Sequence, residues 1–229
     1  MNIFLVRHGT TDWNAKGMIQ GRTDTDLDPV GIEMAEQSGR KLSSLGIVFD
    51  RAYTSPLARA AKTAELLAPY LKAIPDPRLI ELSFGKFEGQ TVSKMQSDPL
   101  CAFRYFRSYP DLYDSEVRKL PSEDNYETLT DLCTRAASFM KEVIEPAAAD
   151  LPGDANILIS GHGALNRALL MYIEGVTDLH DFWGSGLSDN CGITKISCTR
   201  EEGAITFRIQ EESRIYYDPK LREKISVLL

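Results

Sequence analysis

Two histidines in this chain each follow a short apolar run directly. The run at residues 3–6 leads into Arg7 and His8, and the run at residues 156–160 leads into His162. A buried strand that ends in polar side chains delivers them to the open end of a sheet, where α/β proteins bind ligands. Neutral imidazole is a nucleophile, and guanidinium groups match the oxygens of a phosphate. The pattern therefore predicts a site that holds a phosphate and attacks its phosphorus.

Two further side chains supply the remaining chemistry of phosphoryl transfer. Ser55 and Pro56 predict a helix start, which places Arg59 one turn in, beside N–H groups that favour anions. Glu81 is flanked by apolar residues, which favour the protonated carboxyl that a general acid requires. Each residue taken alone also has an ordinary interpretation that is at least as good as a catalytic one. His8 could be a structural histidine, Arg59 a surface arginine and Glu81 a solvent-facing glutamate in a strand. The hypothesis depends on these residues converging.

Other candidates keep their ordinary interpretations. His180 is interpreted as a structural histidine, and Arg167 as a solvated arginine. The two strand-end histidines lie far apart in the chain without HxH or HExxH spacing, so a metal site is a poor alternative. We expect no metal and no cofactor.

Composition limits the class of protein. The 229 residues suit one domain, and 43% hydrophobic with 26% charged residues is ordinary for a globular protein. The formal net charge of −7 argues against a general nucleic-acid binder, so positive charge for an anionic substrate must be local. No run is long enough to cross a bilayer and the start does not resemble a signal peptide, so we expect a cytoplasmic protein. The four cysteines lack CxxC spacing and are expected to be free thiols.

The elements that must position these residues alternate between strand and helix signals. Helices are predicted from Asp28 to Gly46, from Ser55 to the residue before Pro69, and over residues 126–144 and 164–172. Short strands are predicted at residues 47–53 and 79–82, and a terminal hairpin at 193–198 and 204–209. The looser, aromatic-rich segment at about residues 87–124 is interpreted as an inserted lobe of a single domain over residues 1–229. The tail at 211–229 indicates nothing. Together these predict an α/β fold with a mixed sheet and helices on both faces.

Four segments, in this order, resemble the motifs of the histidine phosphatase superfamily, in the branch of the phosphoglycerate mutases and fructose bisphosphatase domains. They are Leu-Val-Arg-His-Gly at 5–9, Thr-Ser-Pro-Leu-Ala-Arg-Ala at 54–60, Glu-Leu-Ser-Phe-Gly-Lys-Phe-Glu-Gly at 81–89 and Ser-Gly-His-Gly at 160–163. The resemblance extends to about Cys198. It implies a three-layer α/β/α sandwich with a mixed, mostly parallel sheet, and no metal.

The resemblance also implies roles for individual residues. His8 would be phosphorylated, Arg7, Arg59 and His162 would form the phosphate pocket, and Glu81 would protonate the leaving group. The remaining binding positions implied are Asn14, Gln20, Gly21 and Gly163.

Two departures from the family pattern bear on activity. Many phosphatases of the family carry Gly-Gly-Glu-Ser before the long helix, where this chain has Asn-Tyr-Glu-Thr at 125–128. Mutases use the lobe to hold a second phosphate, and Arg104 and Arg107 stand in a lobe that is short for that purpose. The sequence therefore favours a phosphatase of small phosphorylated metabolites. A phosphoglycerate mutase and a non-catalytic phospholigand-binding module are the alternatives, and the choice between monomer and homodimer is open.

Overall fold

The apolar runs that lead into the two histidines form the centre of the sheet. A computed structural model describes residues 1–201 and 204–226. Over these residues the sheet order is β3-β2-β4-β1-β5-β6, with strands β1 (Asn2–Arg7), β2 (Arg51–Thr54), β3 (Ile74–Pro75), β4 (Asn156–Gly161), β5 (Ile193–Glu201) and β6 (Ala204–Arg214). The pairings from β3 across to β1 are parallel, whereas β5 is antiparallel to both of its neighbours. The predicted mixed, mostly parallel sheet is confirmed.

Helices cover both faces of this sheet. The α-helices are α1 (Asp12–Ala15), α2 (Pro29–Ser44), α3 (Ala58–Leu67), α4 (Val92–Ser97), α5 (Pro110–Val117), α6 (Leu129–Phe139), α7 (Glu145–Asp150), α8 (Gly163–Glu174) and α9 (Lys220–Ser226). Single 3₁₀ turns lie at Pro77–Leu79, Gly85–Phe87, Ala102–Tyr105, Ser122–Asp124 and Leu179–Asp181, and a π-helical turn at Met140–Ile144 joins α6 to α7. Within the described residues no helix has the length and apolar character that crossing a membrane requires.

Side chains of β1 alternate between the two helical layers, as a strand period of two requires. Ile3 and Leu5 enter the core that includes residues of α6 and α8, whereas Phe4 and Val6 enter the core that includes residues of α2 and α3. Both sides of β1 are therefore buried, which explains its unbroken apolar sequence. The result is the expected three-layer α/β/α sandwich.

The register of the parallel strands places three polar segments at one edge of the sheet. Arg7 at the end of β1 pairs with Gly161 at the end of β4, and Thr54 at the end of β2 pairs with Ser160. The residues that follow these strands, among them His8 and His162, leave the sheet side by side. This register is the structural basis of the candidate site.

The strand predicted at residues 79–82 is wrong. The strand lies earlier, at β3, and the chain then turns through Pro77–Leu79, where the Asp76 carboxylate accepts a hydrogen bond from the Arg78 N–H. The backbone after this turn is held by a side chain instead of a strand. The guanidinium of Arg135 donates to the carbonyls of Ile80 and Glu81.

Two helix starts were predicted from an N-cap residue followed by proline, at Asp28-Pro29 and at Ser55-Pro56. They have different outcomes. Asp28 caps α2 as predicted, since its carboxylate accepts from the Gly31 N–H at 2.7 Å. Ser55 does not cap α3, because the chain bends after Pro56 and the helix begins only at Ala58. The carboxylate of Asp24, from the loop before α2, accepts from the Ala58 N–H at 2.8 Å instead.

The remaining segments differ from expectation mainly in their ends. The helix predicted at 126–144 begins at Leu129, after the Thr128 cap, and continues through the π turn to Asp150. The strand predicted at 47–53 covers Arg51–Thr54 alone. The terminal hairpin is confirmed and its strands are longer than predicted. Glu202 and Gly203, predicted to lie between the strands, are outside the described residues. Residues 87–124 fold into short helices, and their status as an inserted lobe stays a prediction.

Candidate active site

The two strand-end histidines meet at the carboxyl edge of the sheet. The His8 N–H donates to the Gly161 carbonyl at 3.0 Å, and the ring centroids of His8 and His162 lie 5.2 Å apart. Both side chains are buried, His8 at 3% exposure and His162 at 0%. The sequence thus predicted correctly that these residues lie together, while their chemical roles stay predictions.

A backbone carbonyl fixes the protonation pattern of the His8 ring. Nδ1 lies 2.6 Å from the Gly9 carbonyl oxygen. Because that oxygen can only accept, Nδ1 carries the proton and Nε2 carries the lone pair in the neutral ring. Gly9 itself packs closely, since a Cβ atom there would lie 2.6 Å from the Gly31 carbonyl oxygen. The imidazole therefore presents a free Nε2 from a tightly packed turn.

Burial keeps both imidazoles neutral. Desolvation, followed by the positive charges of Arg59 and Arg7, lowers the pKa of His8 well below its usual range. Desolvation and Arg59 likewise lower the pKa of His162 well below its usual range. Neither ring nitrogen of His162 has a hydrogen-bond partner within the described chain. At neutral pH the site holds one neutral imidazole with a free lone pair and a second one without partners.

Backbone carbonyls hold the two guanidinium groups in place. Arg7 donates through Nη1 to the Ser188 carbonyl at 2.7 Å, and Arg59 donates through Nη1 and Nη2 to the carbonyls of Thr23 and Gly21 at 2.9 and 2.7 Å. The Nε of each is buried and has no acceptor among the described residues. Desolvation lowers the pKa of Arg7 to about 10, so it remains cationic at neutral pH. Both arginines thus keep a buried donor unused.

The carboxyl group of Glu81 lies against the start of α8. Its Oε1 accepts from the N–H groups of Leu82 and Leu165 at 2.9 and 3.0 Å, and its Oε2 accepts from the Ala164 N–H at 3.2 Å. The residue is buried and lines the same cavity as His8. The helix that follows His162 therefore also fixes Glu81, which is not on the solvent-facing side of a strand.

The loop after β1 contributes the other predicted binding positions. Asn14 uses its Oδ1 to accept from the Thr11 N–H, and Gln20 uses its Oε1 to accept from the Thr25 hydroxyl, so each keeps its amide NH₂ for other partners. Gly21 has a φ of +52°, and its carbonyl holds Arg59. Gly163 is the first residue of α8, where a Cβ atom would lie 2.7 Å from Leu187. All four line the cavity.

Residues 190–191, which no sequence pattern singled out, hold the backbone of residues 7–9 in place. The Asn190 side-chain NH₂ donates to the carbonyls of His8 and Gly9 at 3.0 and 3.3 Å, and the Cys191 N–H donates to the Arg7 carbonyl at 2.9 Å. The Tyr217 hydroxyl donates to the Asn190 carbonyl at 3.1 Å. No local sequence pattern identifies these contacts, because residues 190, 191 and 217 are far in sequence from residues 7–9.

Arg167 is buried rather than solvated, which corrects the prediction. It is 1% exposed, donates to the Phe182 carbonyl and pairs with Glu212 and Glu174. The prediction from the single residue failed because Phe182 lies in the loop after α8 and Glu212 in β6, while Glu174 is at the end of α8 itself.

The polar residues open into a cavity of about 350 Å³. The predicted residues around His8 line it, except for His162, which is fully buried and is not among the lining residues. Val92, Arg107 and the aromatic side chains Phe84, Phe103, Phe106 and Trp183 line the same cavity. No three side chains among the described His, Cys, Asp and Glu residues come together as a candidate metal site.

Comparison with known proteins gives the same family as the motifs. The model of the Histidine phosphatase superfamily (branch 1) matches residues 3–209. A 2,3-bisphosphoglycerate-dependent phosphoglycerate mutase of Enterococcus faecalis is 34% identical over 75% of this chain and 84% of its own length. A Hydrogenobacter thermophilus protein, named provisionally as phosphoserine phosphatase 2, is 30% identical over 90% of this chain and 93% of its own. The chain belongs to the histidine phosphatase superfamily.

Solved structures agree on the fold. Bacillus stearothermophilus YhfR superposes with a TM-score of 0.76 at 27% identity, covering 93% of this chain and 97% of that one. A mycobacterial glucosyl-3-phosphoglycerate phosphatase superposes with a TM-score of 0.74 at 23% identity, with 93% and 98% covered, and at that identity it supports the fold alone. The relatives include mutases and phosphatases, so the family does not by itself decide the reaction.

Proposed function

We propose that this protein hydrolyses small phosphomonoesters through a phosphohistidine formed on His8. The observation that carries the proposal is a set of buried nitrogen atoms without partners in the described chain: Arg7 Nε, Arg59 Nε and both ring nitrogens of His162. Buried polar atoms are almost always hydrogen-bonded in native proteins. A phosphate dianion placed before the neutral His8 ring provides acceptors for the Nε–H groups of Arg7 and Arg59 and for the single N–H of neutral His162, and it brings its phosphorus to the nucleophile.

The first step forms a bond between His8 Nε2 and phosphorus and breaks the bond from phosphorus to the ester oxygen. Glu81 donates a proton to the departing alkoxide. Arg7 and Arg59 stabilise the charge that spreads over the phosphoryl oxygens, and His162 donates a hydrogen bond to one of them. The carbonyl of Gly9 stabilises the proton on Nδ1 as the ring becomes a cationic phosphohistidine.

The second step transfers the phosphoryl group to water. Water attacks phosphorus as its proton passes to the Glu81 carboxylate, the bond to Nε2 breaks, and inorganic phosphate leaves with neutral His8 restored. We favour water over a second hydroxyl because, besides Arg7 and Arg59, Arg107 is the one cationic side chain among the described residues that line the cavity. A mutase substrate with two anionic groups needs more positive charge there.

Replacement of His8 tests the nucleophile. We expect His8→Ala to lower the turnover of p-nitrophenyl phosphate by about 10³-fold or more, because no other group takes the phosphoryl group. An acid-labile phosphoenzyme is expected in the wild type and not in the variant. His180→Ala is the control, since His180 is exposed and distant. Turnover or labelling that persists in His8→Ala removes His8 from this role.

Replacement of Glu81 tests the acid. Glu81→Gln is expected to lower kcat/KM for an alkyl phosphate at least tenfold more than for p-nitrophenyl phosphate, because the nitrophenolate leaves without protonation. Phosphate release measured for both esters gives the ratio. Equal losses on the two esters argue against Glu81 as the acid.

The mutase alternative is favoured by the Enterococcus faecalis relative, and a transfer assay separates it. Label that passes from a bisphosphoglycerate to an acceptor without net phosphate release supports a mutase. Binding of phosphate esters with no turnover of any ester supports the non-catalytic module.

A further inference from the structure

Four aromatic rings form a continuous wall in the cavity that His8 also lines. The Phe106 ring is central, with its centroid 5.0 Å from Phe84, 5.3 Å from Phe103 and 5.0 Å from Trp183. The wall joins three parts of the chain, because Phe84 belongs to the Glu81 segment, Phe103 and Phe106 to the segment at 87–124, and Trp183 to the loop after α8. We call these four residues the aromatic wall.

The aromatic wall offers almost no hydrogen-bonding capacity to a ligand. Its one polar atom, Trp183 Nε1, already donates to the Phe106 carbonyl at 2.6 Å. Among the described lining residues outside the predicted site, Gln96 and Arg107 are the two that have polar side chains besides Trp183. The Arg107 guanidinium lies over the Trp183 ring, 4.4 Å from its centroid.

Arg107 and Arg7 line the same cavity. The positive charge of Arg107 also contributes, after desolvation, to the lowered pKa of Arg7. We therefore assign Arg107 to the attraction of the phosphate dianion and not to recognition of a second anion. The leaving group of the substrate would therefore contact mainly the carbon atoms of the aromatic wall.

We propose that the preferred substrates carry an uncharged, apolar leaving group of about ring size, and that polyhydroxylated leaving groups are disfavoured. This inference rests on the proposed phosphatase function. Burial of an apolar leaving group against the aromatic wall makes the free energy of binding more favourable. Sugar hydroxyls would lose their hydrogen bonds to water there and find no protein partners to replace them. A cavity of about 350 Å³ is near the lower end of the roughly 300–1,000 Å³ range of ligand pockets, which suits a phosphate and one ring.

Two esters of matched shape test the preference. Cyclohexylmethyl phosphate and glucose 6-phosphate each join a six-membered ring to phosphate through one CH₂ group, so they differ mainly in hydroxyl content. We expect kcat/KM to be about 10- to 100-fold higher for cyclohexylmethyl phosphate. Equal values, or a preference for glucose 6-phosphate, overturn the proposal. So does a higher kcat/KM for O-phosphoserine that is lost in Arg107→Ala, because it assigns Arg107 to an anionic leaving group.

An isosteric substitution tests whether the cavity wall causes the preference. Val92 lines the cavity, and Val92→Thr adds one hydroxyl at nearly constant volume. We expect it to reduce the ratio of the two kcat/KM values severalfold and to leave inhibition by inorganic phosphate unchanged. Val48→Thr is the matched control, because Val48 is 60% exposed and is not among the lining residues. A ratio that changes equally in both variants, or in neither, contradicts the proposal.

A binding measurement separates this inference from the proposed function. If neither ester is hydrolysed, the phosphatase assignment fails, and the dissociation constants of the two esters are then compared by calorimetry. Tighter binding of cyclohexylmethyl phosphate by at least tenfold upholds the preference for an apolar body. Equal affinities refute it, independently of turnover.

Discussion

In the proposed mechanism, one backbone oxygen sets the nucleophilicity of His8. The Gly9 carbonyl takes the Nδ1 proton, so Nε2 keeps its lone pair, and burial keeps the ring neutral. The Gly9 carbonyl must keep its position for the ring to keep this orientation and protonation pattern. Two contacts hold this carbonyl in place. Gly9 packs closely against Gly31, and the side-chain NH₂ of Asn190 donates to the Gly9 carbonyl oxygen at 3.3 Å. Asn190 is therefore a positioning residue for the imidazole.

We expect Asn190→Ala to lower kcat by about 10- to 100-fold with little change in KM, because the ring loses its alignment with phosphorus while the arginines remain. Asn190→Asp is expected to do more, since a carboxylate repels the carbonyls of His8 and Gly9. Its negative charge also stabilises protonated His8, so the acid limb of the kcat/KM profile moves to higher pH. A merely structural effect leaves that limb in place.

Asn2→Ala serves as the control for this prediction. Asn2 lies at the other end of β1, where its side chain bonds to Asn156. A profile for Asn190→Asp with an unshifted acid limb would refute the positioning role, whatever the loss of rate.

The sequence correctly predicted which residues lie at the ends of the two central strands and therefore close together. The buried runs before His8 and His162 are unbroken and apolar, and the register that aligns Arg7 with Gly161 follows from parallel pairing. The start of α2 was also predictable, because Asp28 and Pro29 act on the residues next to them. Each of these signals is local, so a short window of sequence contains its cause.

Contacts between distant elements were not predictable in the same way. Ser55 was expected to cap α3, but the cap comes from Asp24 in another loop. Residues 79–82 have the alternation of a strand, yet Arg135 of α6 binds their carbonyls. Glu81 was selected for its apolar neighbours, and its carboxyl is in fact fixed by the N–H groups that begin α8. In all three cases tertiary structure supplies a hydrogen bond that the local pattern does not contain.

The loop after α8 depends on one buried arginine. Arg167 of α8 donates to the Phe182 carbonyl and pairs with Glu212, which also accepts from Ser185. This loop carries Trp183 of the aromatic wall, and its Ser188 carbonyl holds Arg7. The side chain of Arg167 thus connects a helix of the core to two walls of the cavity.

We expect Arg167→Ala to lower the free energy of unfolding by about 3 kcal/mol, because it leaves a buried carbonyl and a partly buried carboxylate unpaired. Arg167→Lys is expected to recover less than half of the loss, since an ammonium group lacks the forked donors. Urea unfolding measures both. Arg40→Ala is the control, with a side chain that is 67% exposed. An Arg167→Ala protein as stable as the control contradicts the assigned role.

Charge is distributed unevenly over the molecule. The chain carries a formal net charge of −7, yet three arginines line one cavity of about 350 Å³. The carboxylate of Glu81 is the one acidic side chain among the described lining residues. Desolvation lowers the pKa of both Arg7 and Arg59, and the charge of Glu81 partly offsets that shift. The site is therefore locally positive within an acidic protein, which suits a small anionic ester and not a nucleic acid.

The two buried histidines also couple folding to pH. Each has a folded-state pKa well below that of the unfolded chain, about 6.5. As the pH falls below 6.5, the unfolded chain binds protons that the folded protein excludes, so stability decreases. Above that pH both states are neutral at these positions and the effect vanishes. We expect the free energy of unfolding to fall between pH 6.5 and 5 by up to about 1.4 kcal/mol per pH unit for each histidine.

His162→Asn isolates this contribution, because it removes one of the two buried imidazoles without adding a charge. The pH slope of the free energy of unfolding, measured by urea titration between pH 6.5 and 5, is expected to become shallower by about one proton. His180→Asn is the matched control, since the His180 side chain is 66% exposed and is expected to leave the slope as it is. If His162→Asn keeps the slope of the wild type, proton exclusion by the two buried histidines does not govern stability in this pH range.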